Sequence, residues 1–290
     1  MPQSDPLMTR FALVVDYDGR EFQGWQRQPH GPSVQSAIER ALEHICNAPT
    51  ATVCAGRTDS GVHGLGQVVH FDCEALREPR AIMLGVNTKL PISVGIRHCQ
   101  IVGADFHARY SALARVYRYQ LVNHPARPGG LRARDHAWER TPLNLQAMQT
   151  AAKALIGEHD FSSFRALSCQ ARRPWRRMDL LNISQLENRI TFDIQANAFL
   201  HHMVRNIVGS LLVIGRGEQP PEWLLQVLRA KDRTQAGATA QPQGLCFIGP
   251  RYPAHWGLPP EFDAAPELLD WRSSDPVLQA AQSDDDPHAD

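Results

Sequence analysis

The chain has 290 residues, 43% of them hydrophobic, which gives room for two compact domains of ordinary globular composition. Its formal net charge of zero hides a segregation: nine acids and one arginine lie from Tyr252 onward, leaving 29 basic against 21 acidic residues before it, a balance that favours a polyanionic partner. No run is long enough to span a membrane, the N-terminus lacks the apolar core of an export signal, and six scattered cysteines without a C-x-x-C pair argue for free thiols in a reducing cytosol and against a zinc site.

Arg10–Asp16 reads as a strand. Ser33 suits a helix N-cap, ahead of Val34, Ala37, Ile38, Ala41, Leu42 and Ile45 at helical spacing, and Pro49 closes the segment. Ala51–Cys54 and Gln67–Asp72 read as strands on either side of the loop Ala55–Gly66, which is too rich in glycine for the interior of a helix or strand. A short helix near Pro79–Gly85 and strands at Val94–Val102 and Arg115–Val122 complete a β-α-β-β-α-β order. That order is the split βαβ pattern, an antiparallel sheet with helices on one face. The second half repeats the theme loosely. Asn144 caps a helix with apolar Leu145, Met148, Ala152 and Leu155 that ends at Gly157; strands follow at Met178–Gln185 and Ile190–Gln195. Helices at Phe199–Ile214 and Pro221–Ala230 and a strand at Leu245–Ile248 end the pattern. The expected division is residues 8–110, residues 111–252, and an acidic, Pro-rich, flexible tail at 253–290.

Four places carry chemistry. Asp59 stands on the glycine loop between two strands, where a rigid scaffold presents an open carboxylate; the alternative is a plain turn in which Asp59 satisfies nearby amides. Arg205 lies in a run that is apolar nearly all round, so its guanidinium is expected to be buried and in need of an acid. Asp59 is the candidate with a functional reason, because an arginine partner favours the ionised carboxylate needed for nucleophilic attack; a structural pair with another acid is the alternative. In Arg115–Tyr119, alternation is expected to place Tyr117 and Tyr119 on one face and the arginines on the other, a way to stack bases while holding phosphates. For Tyr119 a core position is the preferred reading. Arg165, Arg172, Arg173, Arg176 and Arg177 form either a phosphate-binding edge or a solvated face, with the edge favoured. His201 and His202, adjacent on the expected helix, point apart and do not chelate, so no metal is expected.

The stretch Gly56–His63, G-R-T-D-S-G-V-H, resembles the central motif of the tRNA pseudouridine synthase A family. The resemblance runs on in order through D-F-H-A-R-Y (Asp105–Tyr110), R-V-Y-R-Y (Arg115–Tyr119), H-D-F-S-S-F-R (His159–Arg165), Asn197–Gly209 and G-L-C-F (Gly244–Phe247), and covers roughly Arg10 to Pro253. It implies an α+β fold of two similar ferredoxin-like halves with largely antiparallel sheets and a central basic catalytic cleft. It implies isomerisation of uridine to pseudouridine at nucleotides 38, 39 and 40 of the tRNA anticodon arm, in a cytoplasmic homodimer without metal or cofactor. Residue by residue, it implies Asp59 as nucleophile, Arg205 as the basic active-site residue, and Tyr117 stacked on the target uracil. Leu245 would pack beside that base, and Arg57 would help hold the nucleotide out of its stack, since a stacked base cannot offer its glycosidic bond. Phe106, His107, Ala108, Arg109 and Tyr110, with Leu167, Ser168, Cys169, Gln170 and Ala171, resemble tRNA-contact segments.

Two other functions compete. A non-catalytic RNA-binding module of the same fold would tolerate loss of Asp59 and Arg205, and both are present. A hydrolase using Asp59, Ser60 and His63 lacks the G-x-S-x-G elbow, and three residues so close in sequence do not converge as a triad.

Overall fold

The computed structural model describes residues 8–74, 77–130 and 132–264. They form two compact units: one runs to Leu113 and resumes at Phe247, the other is Ala114–Cys246. The first unit contains β1 (Thr9–Tyr17), α1 (Val34–Cys46), β2 (Val53–Cys54), β3 (His63–Cys73), α2 (Pro79–Asn87) and β4 (Val94–Ile101). Its strands pair antiparallel in the order β4-β1-β3-β2, the split βαβ arrangement. α1 starts where expected because Ser33 Oγ accepts the Ser36 N–H at 3.2 Å, and it stops at Asn47 in the left-handed region, φ 55°.

β1 reads F-A-L-V-V without alternation because its sheet is buried on both faces. Phe11, Leu13 and Val15 face a core with Ile38, Leu42, Ile82 and Val86 of the helices. Ala12 and Val14 face a second core with Val68, Phe106, Tyr252, Leu258 and Phe262. This second core corrects the expected tail. Residues 253–264 are ordered cover for the open face: Tyr252 and Asp263 bridge, Tyr252 N–H bonds Phe262 O at 2.7 Å, and Phe262 is 1% exposed. The rest of that expected tail, residues 265–290, lies outside the described residues. The contact division also places residues 247–252 with the first unit rather than the second.

The second unit contains β5 (Ala114–Asn123), α3 (Arg132–Asp135), β6 (Ala137–Glu139), α4 (Leu145–Ala152), β7 (Gly157–Asp160), β8 (Trp175–Leu186), β9 (Arg189–Ala196), α5 (Met203–Gly215) and α6 (Trp223–Ala230); the division falls within β10 (Leu245–Arg251). Its sheet runs β5-β9-β8-β7, antiparallel throughout, with β6 added parallel to β5. With α3, β6, β7 and α6 interposed, the elements β5, α4, β8, β9, α5 and β10 keep the β-α-β-β-α-β order in the chain, although β10 from Phe247 on belongs to the first unit. Asn144 caps α4 as expected, its Oδ1 accepting the Ala147 N–H at 3.0 Å.

Among the boundaries that differ from expectation, two bear on the site. β3 begins at His63, so Gly64 and Gly66 lie inside a strand. Both are close-approach glycines: a Cβ on Gly64 would stand 2.4 Å from the Tyr17 ring, and one on Gly66 would stand 2.3 Å from Ile248 O. α5 begins at Met203, four residues late, because His202 takes φ 62° and breaks the helical path. Phe199 and Leu200 are apolar for another reason, since Phe199 meets Tyr117 edge-on at 5.0 Å and Leu200 is buried. His201 and His202 are therefore not on a helix, and contrary to expectation they do not point apart: their rings lie 4.0 Å from each other. Among the described residues no helix is long and apolar enough to cross a membrane.

Candidate active site

Asp59 is half-buried in the turn between β2 and β3. What holds it on one side comes from the end of β1 and the segment that follows it. Tyr17 and Thr58 share a buried hydroxyl–hydroxyl bond of 2.9 Å, and Trp25 N–H donates to Thr58 O at 3.0 Å. Ser60 Oγ donates to Phe22 O at 3.3 Å, and Val62 N–H closes the turn onto Asp59 O at 3.2 Å. Gly24, at φ 99°, lies where a Cβ would be 2.8 Å from Thr58 O, and a Cβ on Gly19 would be 1.9 Å from Val62 O. On the other side the fully buried Gln67 brackets Gly56, accepting its N–H at 3.3 Å and donating to its carbonyl. The carboxylate thus stands on a backbone fixed from two directions, next to an exposed Arg57. Tyr17, Gly19, Gly24, Trp25 and Gln67 were missed in the sequence. The paired glycines of D-G-R-E-F-Q-G-W are the signal that could have found the segment.

Ser60 and His63 each have a structural partner. Ser60 is bonded to Phe22 O, and His63 Nδ1 receives the Gly19 N–H at 3.3 Å.

Residues 106–110 divide by burial. Phe106 and Ala108 are 0% exposed and belong to the second core, so their side chains hold the segment and offer nothing to a ligand; this corrects their expected role as contacts. Tyr252 hydroxyl donates to Ala108 O at 2.6 Å. His107 and Tyr110 stack at 4.2 Å and Arg109 lies 5.4 Å above the Tyr110 ring, a cation–π layer whose arginine end is exposed. His107 Nδ1 accepts the N–H groups of Arg109 and Tyr110 at 3.2 and 3.1 Å. His70 Nδ1 accepts Ala108 N–H at 3.0 Å. In both rings protonation is disfavoured. Burial lowers His107 with help from Arg10 and Arg109; burial, then His107 and Arg10, lower His70 to about 4 from 6.5.

A pH dependence of stability follows. The folded pKa of His70 lies below its unfolded value, so from pH 6.5 down to about 4 the unfolded chain binds a proton the folded chain does not. Its contribution is complete above that window and is lost as pH falls through it, by roughly 3 kcal/mol at the acid end. His70→Asn puts Oδ1 where Nδ1 stands and removes the titration. Urea melts at pH 7 and 4.5 should show a clearly smaller acid loss for the variant; equal losses would remove His70 as the source.

In the second unit, the pairing of β5 with β9 is unbroken from Arg115 to Val122, so Arg115, Tyr117 and Tyr119 share one face and Val116 and Arg118 the other. This corrects the expectation that both arginines lie opposite the tyrosines. Arg115 bonds Asn197 O at 2.9 Å and Arg118 pairs with Asp193 at 2.6 Å. Tyr119 is a core residue as read, 1% exposed, with its hydroxyl on Gln241 O. Tyr117 is 7% exposed and rests on Phe199. Leu245, at the start of β10, is buried. Arg205, on α5, is half-buried rather than enclosed, and its Nε donates to Ala240 O at 2.8 Å.

Leu167, Ser168 and Gln170 are exposed, and Cys169 and Ala171 half-buried. Their turn packs on the His201 turn: Ser168 Oγ lies 3.2 Å from His201 Nδ1, and Ala166 N–H bonds His201 O at 3.0 Å. The expected arginine edge is narrower than it read. Arg177 pairs with Asp179 at 2.6 Å and Arg165 bonds Cys169 O at 2.7 Å, while Arg172 and Arg173 are exposed.

The sequence profile of tRNA pseudouridine synthase matches residues 13–111 and 151–253. A tRNA pseudouridine synthase A of Xanthomonas campestris pv. campestris (strain B100) is 55% identical over 254 residues, 87% of this chain and 98% of that protein. That of Xanthomonas oryzae pv. oryzae (strain PXO99A) is 54% identical over 254 residues, with the same shares covered. That of Stenotrophomonas maltophilia (strain K279a) is 53% identical over 253 residues, 87% of this chain and 98% of that protein. The two profile stretches contain Asp59, residues 106–110 and 167–171, Arg205 and Leu245; Tyr117 falls between them.

Proposed function

Since this chain belongs to the tRNA pseudouridine synthase family, we propose that it isomerises uridine to pseudouridine at nucleotides 38, 39 and 40 of the tRNA anticodon arm, with Asp59 as the nucleophile. The reaction breaks the N1–C1′ bond, turns the uracil, and joins C5 to C1′; C5 loses its proton and N1 gains one. No redox partner is needed. The observation that carries the reading is the G-R-T-D-S-G-V-H turn itself: its aspartate is half-buried, and its backbone is anchored through Thr58, Ser60 and Gly56. A fixed, partly desolvated carboxylate is what positional nucleophilic catalysis requires.

The other roles are assigned on the same basis. Arg205 serves as the basic residue of the site, Tyr117 stacks on the flipped uracil, and Leu245 packs beside it. Arg57 keeps the nucleotide extruded, at a cost of a few kcal/mol offset by contacts with the base. His107, Arg109, Tyr110 and residues 167–171 contact the tRNA, with Arg172 and Arg173 on phosphates. The enzyme acts in the cytoplasm as a homodimer.

The test is tritium release from tRNA carrying 5-³H-uridine, because the C5 hydrogen leaves only if the C5–C1′ bond forms. Release should match one equivalent per modified site and should vanish with substrates in which nucleotides 38–40 are not uridine. Tight tRNA binding without release would leave an RNA-binding module instead.

A further inference from the structure

We propose that Thr239, Arg233 and Asn206 form a positioning network for Arg205, acting through the loop that receives its guanidinium. The inference rests on the role assigned to Arg205 above. Ala240 is tied to Arg205 twice: Arg205 Nε donates to Ala240 O at 2.8 Å, and Ala240 N–H donates to Arg205 O at 3.1 Å. The neighbours of this pair are tied to each other as well. Thr239 Oγ1 donates to Asn206 Oδ1 at 2.7 Å, and Arg233 Nη2 donates to both Asn206 Oδ1 and Thr239 Oγ1 at 3.0 Å. Asn206 is fully buried, and its Nδ2 donates to Phe164 O at 2.8 Å, so its amide has one orientation. One turn further along α5, the buried Ser210 Oγ donates to Asn206 O and accepts the Gly237 N–H.

Two glycines let the loop lie against the helix. A Cβ on Gly209 would be 1.8 Å from Ala238 O, and one on Gly237 would be 2.8 Å from Gly209 O. The dipeptide Arg205–Asn206 is thus matched to Thr239–Ala240 through backbone, guanidinium, amide and hydroxyl together. With Nε committed to Ala240, the guanidinium acts through its Nη atoms, and their direction is set by where Ala240 O is held. Thr239 sets that point without itself meeting the substrate.

The experiment uses Thr239→Val, which keeps the shape and removes the hydroxyl, and Thr239→Ser, which keeps the hydroxyl. Single-turnover pseudouridine formation, tRNA Kd and thermal melts are measured on the full chain. Thr239→Val should lose about ten- to hundredfold in the single-turnover rate, the scale of a displaced catalytic group, with tRNA Kd unchanged. Thr239→Ser should keep the parent rate. In an Arg205→Lys background, Thr239→Val should add little, because both changes act through one group. If Thr239→Val does not fold, Arg233→Lys, which keeps the charge and loses the planar fork, should show the same loss of rate at unchanged Kd. A parent rate in Thr239→Val (or, where that variant does not fold, in Arg233→Lys), an equal loss in Thr239→Ser, or a full additional loss on top of Arg205→Lys overturns the positioning role. Full turnover by Arg205→Ala would instead overturn the role of Arg205 itself.

Discussion

Asp59→Asn is expected to abolish pseudouridine formation while the chain still folds and still binds tRNA. The amide keeps the shape of the carboxylate and loses the negative charge that makes its oxygens nucleophilic. The named anchors of the turn use the backbone of Asp59 and the side chains of Tyr17, Thr58 and Ser60, which the substitution leaves in place. The single-turnover rate should therefore fall by roughly 10⁴-fold or more, the scale on which removal of one member of a catalytic set is felt. That is about 5 kcal/mol of transition-state stabilisation at about 1.4 kcal/mol per tenfold. Tritium release, a filter-binding Kd and a thermal melt on the same preparation decide it. A rate within tenfold of the parent would remove Asp59 from the chemistry. A rate loss accompanied by a collapsed melt would make its role structural.

Arg205→Ala is expected to cost roughly 10²- to 10³-fold in single-turnover rate, as for loss of a preorganised charged donor. Its effect on stability should be smaller than the sequence suggested. An enclosed arginine–carboxylate pair, once broken, would cost about 3–5 kcal/mol. Arg205 is half-buried, so water reaches the site and compensates part of the loss. The substitution also removes the bond to Ala240 O, whose carbonyl is left in a buried residue. That is worth about 1–3 kcal/mol. Arg205→Lys should fall between parent and alanine variant, because an ammonium keeps the charge without the planar fork. Urea melts alongside the activity assay separate the two effects, and full turnover with an unchanged melt would place the functional base elsewhere.

The local signals were legible where they act over a few residues. Ser33 and Asn144 cap the helices they were read to cap, since an N-cap bonds an N–H three residues on. Strand positions followed from apolar runs, and the order of elements gave the split βαβ pattern. α5 was read too long because the apolar spacing continues through Phe199 and Leu200, and nothing in the spacing shows that His202 turns left-handed. The acidic composition after Tyr252 hid Leu258 and Phe262, whose burial depends on a sheet face formed far earlier in the chain.

By itself the sequence determined the order of the main helices and strands, though not α3, β6 or β7, together with the α+β class and the aspartate turn with its family motif, because periodicity, caps and motifs are contained in short windows. Only the tertiary structure decided what holds that turn and which residues of a motif face outward. Tyr17 reaches Thr58 across 41 positions, and Tyr252 reaches Ala108 across 144. Phe106 and Ala108 belong to a motif yet lie wholly in the core, while His107 and Tyr110 between and beyond them form the stack. Such partnerships are set by chain path and close packing, and the spacing of residues along the sequence does not encode them.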